Sequence, residues 1–323
     1  MRTISILLPT RNRAVLLREA IRSVRAQTHT RWELFVIDDQ STDGTAEVIK
    51  EFCAIDSRIR VLQGPGRGPA AARNVAFPYV QGQYVAFLDD DDLWHRNKLE
   101  QQLAVFERFP AAGMVFTDAV VSDGEQMLKP SVLPKRHPML ARWVNMCRQQ
   151  GMSDVCLGWL QREMLQVNPV TLSTALVRRE LVDRLGKFRE VPAGEGYDFW
   201  IRLSGLAPIA MLDRVTTTYR VTGTSVMGQF EDRAYRTREF DADILQGALV
   251  SVPAELQPAV KRRIVECARV AGWYRLKQGQ LGRARKLFLV SLRHKWNQQK
   301  VFAYLAASLC PPITWRALRS LVK

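Results

Sequence analysis

The sequence predicts an α/β fold, a mainly parallel sheet flanked by helices on both faces, with a helical extension at its C-terminal end. Three observations predict it. Within the first hundred residues, short apolar runs at 4–8, 34–37, 60–62 and 84–88 show no period-two alternation, and segments with helical spacing separate them. Strands of that kind are covered on both faces, as in parallel sheets. The runs also end in loops rich in Pro, Asp, Ser and Gly, and ligands of parallel sheets gather at such carboxyl ends. From about residue 230 the apolar residues recur at helical spacing to the end.

Residues 4–8 read as the first strand, closed by Pro9, Thr10, Arg11, Asn12 and Arg13. Leu16, Leu17, Ala20, Ile21 and Val24 then recur as one helix face. Leu34-Phe35-Val36-Ile37 is the second strand, stopped by Asp38-Asp39 and the turn-forming Ser41-Thr42-Asp43-Gly44. A short helix at 46–52, a third strand at 60–62, the loop from Gly64 to Gly68 and a helix at 70–77 follow. Tyr84-Val85-Ala86-Phe87-Leu88 is the fourth strand and runs straight into Asp89-Asp90-Asp91-Asp92. Leu99, Leu103, Phe106 and Phe109 then suggest a helix, and Met114-Val115-Phe116 another strand. The span 125–170 has weak periodicity, many basic residues and no clear boundaries. A strand at 170–177, helices at 179–185 and 197–206, and a strand at 216–221 complete the middle of the chain. In the last third, Leu256, Val260, Ile264, Ala268 and Ala271 form one stripe. Ala284, Leu287, Phe288, Leu292 and Trp296 form another, with Gly272, Gly279 and Gly282 punctuating a helix–turn–helix pair. No repeat recurs often enough for a solenoid.

The 323 residues, 47% hydrophobic and 24% charged, suffice for two compact units or one large α/β unit with an appendage. Three segments are expected: 1–100, 101–228 and 229–323. The net charge of +15 is concentrated, because residues 261–323 hold 15 Lys/Arg against Glu266 alone. The rest of the chain is nearly neutral. Five scattered cysteines without a CxxC pair argue against a disulfide framework or a zinc site and fit a reducing compartment. The apolar start is too short for a signal peptide and is closed by Pro9 and Arg11. The longest charge-free stretch of the tail, 301–315, contains Pro311-Pro312 and falls short of the roughly 20 residues of a membrane span.

Three strand ends carry Pro9-Thr10-Arg11-Asn12, Asp38-Asp39 and the four aspartates, so one sheet edge collects acids that repel each other unless a cation compensates them. Hard oxygen ligands at that density favour Mg²⁺ or Mn²⁺. A divalent cation there would bridge a diphosphate and stabilise it as a leaving group. An acidic run is more often a solvated loop, but this one directly follows Phe87-Leu88 and is followed by Trp94, which ties it to the core. Other chemistry finds little support. Gly64, Gly66 and Gly68 do not have the dinucleotide-binding spacing, and there is no GxxxxGK[ST] or HExxH motif. The four histidines form no ligand-spaced pair.

Together these segments resemble the family 2 inverting glycosyltransferases with a GT-A fold. The likeness rests on residues 5–13, on 36–45, on Gly68-Pro69-Ala70-Ala71-Ala72-Arg73-Asn74, and on residues 87–94. It continues in Leu172-Ser173-Thr174-Ala175-Leu176-Val177-Arg178, in residues 194–203 and in Tyr219-Arg220-Val221. It implies that 1–100 is the nucleotide-sugar-binding half, 101–228 the acceptor-binding half, and 229–323 a basic helical extension. Pro9, Thr10 and Asn12 would line the nucleotide pocket, Asp39 would accept a hydrogen bond from the base, and Arg73 would help hold the nucleotide. Asp89 and Asp91 match the outer acids of the DxD signature, with Asp91 the direct metal ligand, Asp90 a donor contact and Asp92 a supporting group. Arg220 lies where family members close a loop over the diphosphate. Inversion needs a general base, which the family supplies from a Glu-Asp pair before an aromatic helix start. Here the pair reads Glu195-Gly196, leaving Glu195 or Asp198 to serve. That departure keeps open a non-catalytic relative that binds a nucleotide sugar or a partner. A UDP-sugar donor and a hydroxyl acceptor, a saccharide or lipid-linked saccharide of the bacterial surface, are the expected substrates.

The basic tail allows three readings: a solvated helical cap, nucleic-acid binding without any recognised module, or contact with an anionic membrane. The third is preferred, because Trp296, Phe302, Tyr304, Leu305, Leu309, Trp315, Leu318 and Leu321 supply anchors among the basic residues. It implies a cytoplasmic protein, peripheral at the inner face of the cell membrane, with no specific nucleic-acid partner.

Overall fold

The computed structural model describes residues 3–131, 138–149, 151, 154–191, 194–222 and 233–309. They fall into two compact units, one of residues up to 229 without 192–194, the other of 192–194 and 230 onward.

The first unit opens with alternating elements: β1 (Ile4–Thr10), α1 (Ala14–Arg25), β2 (Trp32–Asp38), α2 (Thr45–Ile55), β3 (Ile59–Gln63), α3 (Pro69–Ala76) and β4 (Tyr84–Phe87). It continues through β5 (Leu93–Trp94), α4 (Lys98–Arg108), β6 (Met114–Ser122), β7 (Met127–Lys129), α5 (Pro138–Gln149), β8 (Val155–Gly158) and α6 (Gln161–Met164). A 3₁₀ turn at Leu172–Thr174 leads into β9 (Ala175–Arg178), α7 (Arg179–Leu185), α8 (Glu195–Ser204) and β10 (Ile209–Arg220). All the strands share one sheet, ordered β3-β2-β1-β4-β9-β6-β10-β5, with β7 on β6 and β8 on β10. The pairs among β1 to β4 are parallel, whereas β9 enters antiparallel to both β4 and β6. The two halves expected at 1–100 and 101–228 thus contribute to one continuous sheet.

The unbroken apolar runs are explained by packing on both faces. Ile4, Ile6, Leu8, Leu34 and Val36 turn toward Leu17 and Ile21 of α1 and Val48 and Phe52 of α2. On the opposite face Phe87 meets Phe188, Phe199 and Trp200 edge to face, with ring centroids 5.4–6.2 Å apart. The featureless span 125–170 proves to contain β7, α5, β8 and α6. The strand expected at 216–221 begins at Ile209. Its register against β6 breaks between Leu212 and Val215, where Asp213-Arg214 interrupts the apolar run, and that bulge hides the strand in the sequence.

The second unit contains α9 (Arg233–Ala248), α10 (Gln257–Lys277), α11 (Leu281–His294) and α12 (Gln299–Ser308). Val260, Ile264, Ala268, Ala271, Ala284, Leu287, Phe288 and Leu292 are buried as expected. Three expectations are corrected. Trp296 lies outside that core, with 73% of its surface exposed. Gly272 sits inside α10 rather than at its end. A Cβ there would come within 2.7 Å of the Phe288 ring, so its role is close helix approach. Tyr304 and Leu305, expected as membrane anchors, instead pack on the cluster around Phe288 and Val301, because α12 turns that side inward. Trp315, Leu318 and Leu321 lie outside the described residues. No described helix is long and apolar enough to cross a membrane.

Candidate functional site

The parallel register places Thr10 at the end of β1 beside Asp38 at the end of β2. Asp39 donates its backbone N–H to the Thr10 carbonyl at 2.9 Å, so the two loops leave the sheet together. Asn12 and Gln40 both adopt left-handed backbone, with φ of 53° and 65°. Conformations rare outside glycine persist where surrounding bonds impose them. Here Asn12 Oδ1 accepts from the Thr42 N–H at 2.7 Å, and the Asn12 N–H donates to Ser41 Oγ at 3.0 Å. Pro9 is buried in β1 opposite Ile37.

Asp39 is buried, and each of its carboxylate oxygens accepts one backbone N–H at 2.7 Å, from Gly66 and from Gly68. The carboxylate therefore shapes the loop between β3 and α3. Glycine is required there, since a Cβ on Gly64 would lie 2.5 Å from Asp39 Oδ1 and Gly66 takes φ of 74°.

The aspartate run forms a tight turn closed by Asp92 N–H to the Asp89 carbonyl at 3.0 Å. Asp90 is buried and accepts from Thr10 Oγ1 and from Arg13, both at 2.7 Å. The same Arg13 guanidinium reaches Asp91 at 3.0 Å. Asp92 is fully buried. It accepts the Arg220 N–H at 3.1 Å, while its second oxygen has no hydrogen-bond partner. Oxygens of Asp89, Asp91 and Asp92 lie within 4.8 Å of one another, little more than twice the metal–oxygen distance of about 2.1 Å for Mg²⁺. Burial, and next the charge of Asp89, pushes Asp91 up to about 6 and holds Asp92 well above the usual carboxylate range. Burial raises Asp90 too, against the opposing pull of Arg13. An orphaned buried oxygen among mutually repelling carboxylates is what a hard divalent cation would relieve. The residues present fit Mg²⁺ or Mn²⁺.

Arg73 projects from α3 with 1% of its side chain exposed. One terminal nitrogen donates to Asp89, the other to Glu195 at the start of α8 at 2.9 Å. The neighbouring Asn74 fixes α3 against the Phe188 backbone in both directions, at 3.0 and 2.8 Å. Asp198 is placed differently. It is buried with one oxygen taken by Arg189 and the other by Arg202, both at 2.9 Å, which makes it a brace for α8. Arg220 is buried as well, its guanidinium donating to the Asp91 carbonyl and to Glu19, so it supports the aspartate turn from beneath.

Gly196 is buried where the resemblance leads one to expect an aspartate. A Cβ added there would stand 2.8 Å from Leu172 Cγ. The backbone beside Leu172 is held in place, because the next residue is bound on both sides. Ser173 Oγ accepts the Asp89 N–H at 3.1 Å, and its carbonyl accepts Trp94 Nε1 at 2.8 Å. Sequence reading gave no role to Arg13, Leu172 or Ser173. The Pro-Thr-Arg-Asn-Arg and Leu-Ser-Thr strings were visible, but nothing in them shows that they pack against a turn about 80 residues away.

Residues 5–162 match the sequence profile described as glycosyl transferase family 2. TuaG of Bacillus subtilis (strain 168), a putative teichuronic acid biosynthesis glycosyltransferase, is 38% identical over 128 residues, covering 39% of this chain and 51% of its own length. The Escherichia coli UDP-Glc:alpha-D-GlcNAc-diphosphoundecaprenol beta-1,3-glucosyltransferase WfgD is 44% identical over 103 residues, covering 32% of this chain and 40% of its own. The chain thus spans about half or less of these relatives. Among solved structures, S. aureus TarS matches with a TM-score of 0.61 and 17% identity over 99% of this chain and 53% of its own. The mannosyltransferase PcManGT from Pyrobaculum calidifontis, in complex with GDP-Man and Mn²⁺, also gives 0.61, with 18% identity over 99% of this chain and 85% of its own. The fold they share with this chain is GT-A.

Proposed function

Residues 5–162 place this chain in glycosyl transferase family 2, and from that premise we propose an inverting, metal-dependent glycosyltransferase. It moves a sugar from a nucleotide sugar, a UDP-sugar, to a hydroxyl of a saccharide or lipid-linked saccharide, in synthesis of a bacterial surface polysaccharide or glycolipid. The observation that carries this reading is the convergence of Asp89, Asp91 and Asp92, their oxygens within 4.8 Å, with Glu195 joined to Asp89 through Arg73. The donor class is supported by TarS 1-349 in complex with UDP-GlcNAc, which shares the fold at a TM-score of 0.58. The process is supported by the names of TuaG and WfgD.

Asp91, Asp89 and Asp92 would hold Mn²⁺ or Mg²⁺, which when bound neutralises charge on the departing diphosphate. Pro9, Thr10, Asn12 and Asp39 shape the nucleotide end of the pocket, and Asp90 keeps Thr10 and Arg13 in register with it. Arg73 and Arg220 act on carboxylate and backbone, holding the aspartate turn rather than reaching beyond it. Glu195 is the general base: it takes the proton of the acceptor hydroxyl as that oxygen bonds to the anomeric carbon and the bond to the diphosphate breaks. Asp198, held by two arginines, is left out of the chemistry. Residues 229–323 make the protein peripheral at the cytoplasmic face of the cell membrane, with Trp296, Phe302 and Leu309 exposed as apolar contacts.

The test is turnover of a panel of nucleotide sugars with Mn²⁺ or Mg²⁺. UDP release from a UDP-sugar is expected, abolished by EDTA and restored by the cation. Glu195→Gln should lower kcat by about 10²–10⁴ while donor binding persists. Donor binding without turnover under every acceptor condition would instead identify a non-catalytic sugar-nucleotide-binding relative.

A further inference from the structure

The membrane contact proposed for the second unit uses Trp296, Phe302 and Leu309 and leaves the outer side of α10 unassigned, yet the helices there have a recognisable spacing. Gly272 lies inside α10, Gly279 takes φ of 73° at the turn, and Ala284 and Phe288 follow in α11 as Ala-x₃-Phe. These are the small and aromatic positions of a tetratricopeptide unit, a helical hairpin of about 34 residues. Packing agrees with the spacing. A Cβ on Gly272 would lie 2.7 Å from the Phe288 ring, so glycine is what lets the two helices close. In that register α12 stands where the first helix of a following unit would begin. Helical units of this kind, stacked side by side, create concave binding surfaces.

Two features occupy that surface. Arg269, Trp273 and Lys277 are spaced four residues apart on α10, on the side opposite buried Ile264, Ala268 and Ala271. Trp273 is only half-buried, and the Lys277 ammonium lies 4.1 Å from its ring centroid. Next to this ridge a shallow cavity of about 420 Å³, widely open to solvent, lies between α10 and the start of α12, lined by Arg269, Asn297, Gln298, Gln299, Lys300 and Val301. The lining has two cations and no acid. Asn297 and Gln299 are exposed amides, each carrying a donor and an acceptor.

We propose that this ridge and cavity form a docking site for an extended, carboxylate-rich peptide segment of a partner protein. Arg269, Lys277 and Lys300 complement the carboxylates. Asn297 and Gln299 match the paired donors and acceptors of a peptide backbone, whereas a lipid or nucleic-acid phosphate offers acceptors only. Trp273 supplies an apolar platform between the cations. The site is independent of the glycosyltransferase reading, which draws on no residue of this unit's α10.

The experiment is fluorescence anisotropy on the full-length protein at near-physiological salt, with a fluorescein-labelled decapeptide alternating Glu and Ser, and the same peptide with Gln for Glu. The Glu peptide should bind about tenfold or more tighter than the Gln peptide. Arg269→Glu combined with Lys300→Glu should weaken it by a further factor of about ten. Arg269→Gln with Lys300→Gln serves as the milder pair if the first alters the thermal melt, and a weakening of about threefold is expected for it. Equal binding of the two peptides would overturn the proposal, as would wild-type affinity in the charge variants. Displacement of the Glu peptide by vesicles containing phosphatidylglycerol that persists in Trp296→Ala with Leu309→Ala, where the proposed membrane contact is weakened, would also overturn it and assign the surface to the membrane.

Discussion

A single guanidinium, that of Arg73, binds both the first aspartate of the acidic turn and the candidate base. The residues around it show what sequence can and cannot disclose. Asp89, Asp91 and Glu195 were legible because they sit at strand and helix ends in recognisable strings. Leu172 was not, because its meaning is a distance to Gly196. Restoring the expected acid therefore carries a cost. Gly196→Asp alone should destabilise the fold by about 1–3 kcal/mol through overpacking against Leu172. Leu172→Ala in the same chain should recover part of that loss. Thermal unfolding of the two single variants and the double variant checks this, and strictly additive losses would show that the two side chains do not compete for one space.

At the scale of elements, α9 and α10 meet through charges as well as apolar residues. Asp241 of α9 faces Arg263 of α10 at 3.6 Å. Burial dominates over that arginine and raises Asp241 to about 6. Because the folded pKa exceeds the ordinary carboxylate value, the folded state binds the proton more tightly, so this group's contribution to stability grows as pH falls through 6 toward 4. Asp241→Asn mimics the protonated form. It should be more stable than the parent protein at pH 8 by about 1–3 kcal/mol, a gap that narrows below pH 6 and is nearly gone at about pH 3.5, below both the folded and the unfolded pKa. Urea unfolding at both pH values measures it, and a gap independent of pH would contradict the assignment. The periodicity of these helices was readable in the sequence, including most of their buried stripes. The inward side of α12 was not, since Tyr304 and Leu305 are equally at home in a core or at an interface.

For the whole molecule, the order of strand and helix signals was enough for the fold class, because runs buried on both faces leave no alternation to misread. The sheet order was not, because pairings between distant strands leave no local trace. The concentration of basic charge is a further whole-chain property. If residues 229–323 meet an anionic membrane, binding to vesicles containing phosphatidylglycerol should weaken as salt rises. Trp296→Ala with Leu309→Ala should lower it several-fold in a sedimentation assay. Binding that ignores both salt and these side chains would refute that contact. The last consequence comes from β9, which pairs with β4 through Ala86 and Leu176 and with β6 through Val115 and Leu176. It lies beyond residue 162, where the family profile stops. During synthesis at about 5–20 residues per second, the edge of β4 waits on the order of 5–20 seconds for its neighbour to leave the ribosome. A fragment ending at residue 162 keeps every donor-side acid but lacks both β9 and β10, which leaves β4, β5, β6 and β8 with unpaired edges for good, and it should precipitate where one ending at residue 222 stays in solution.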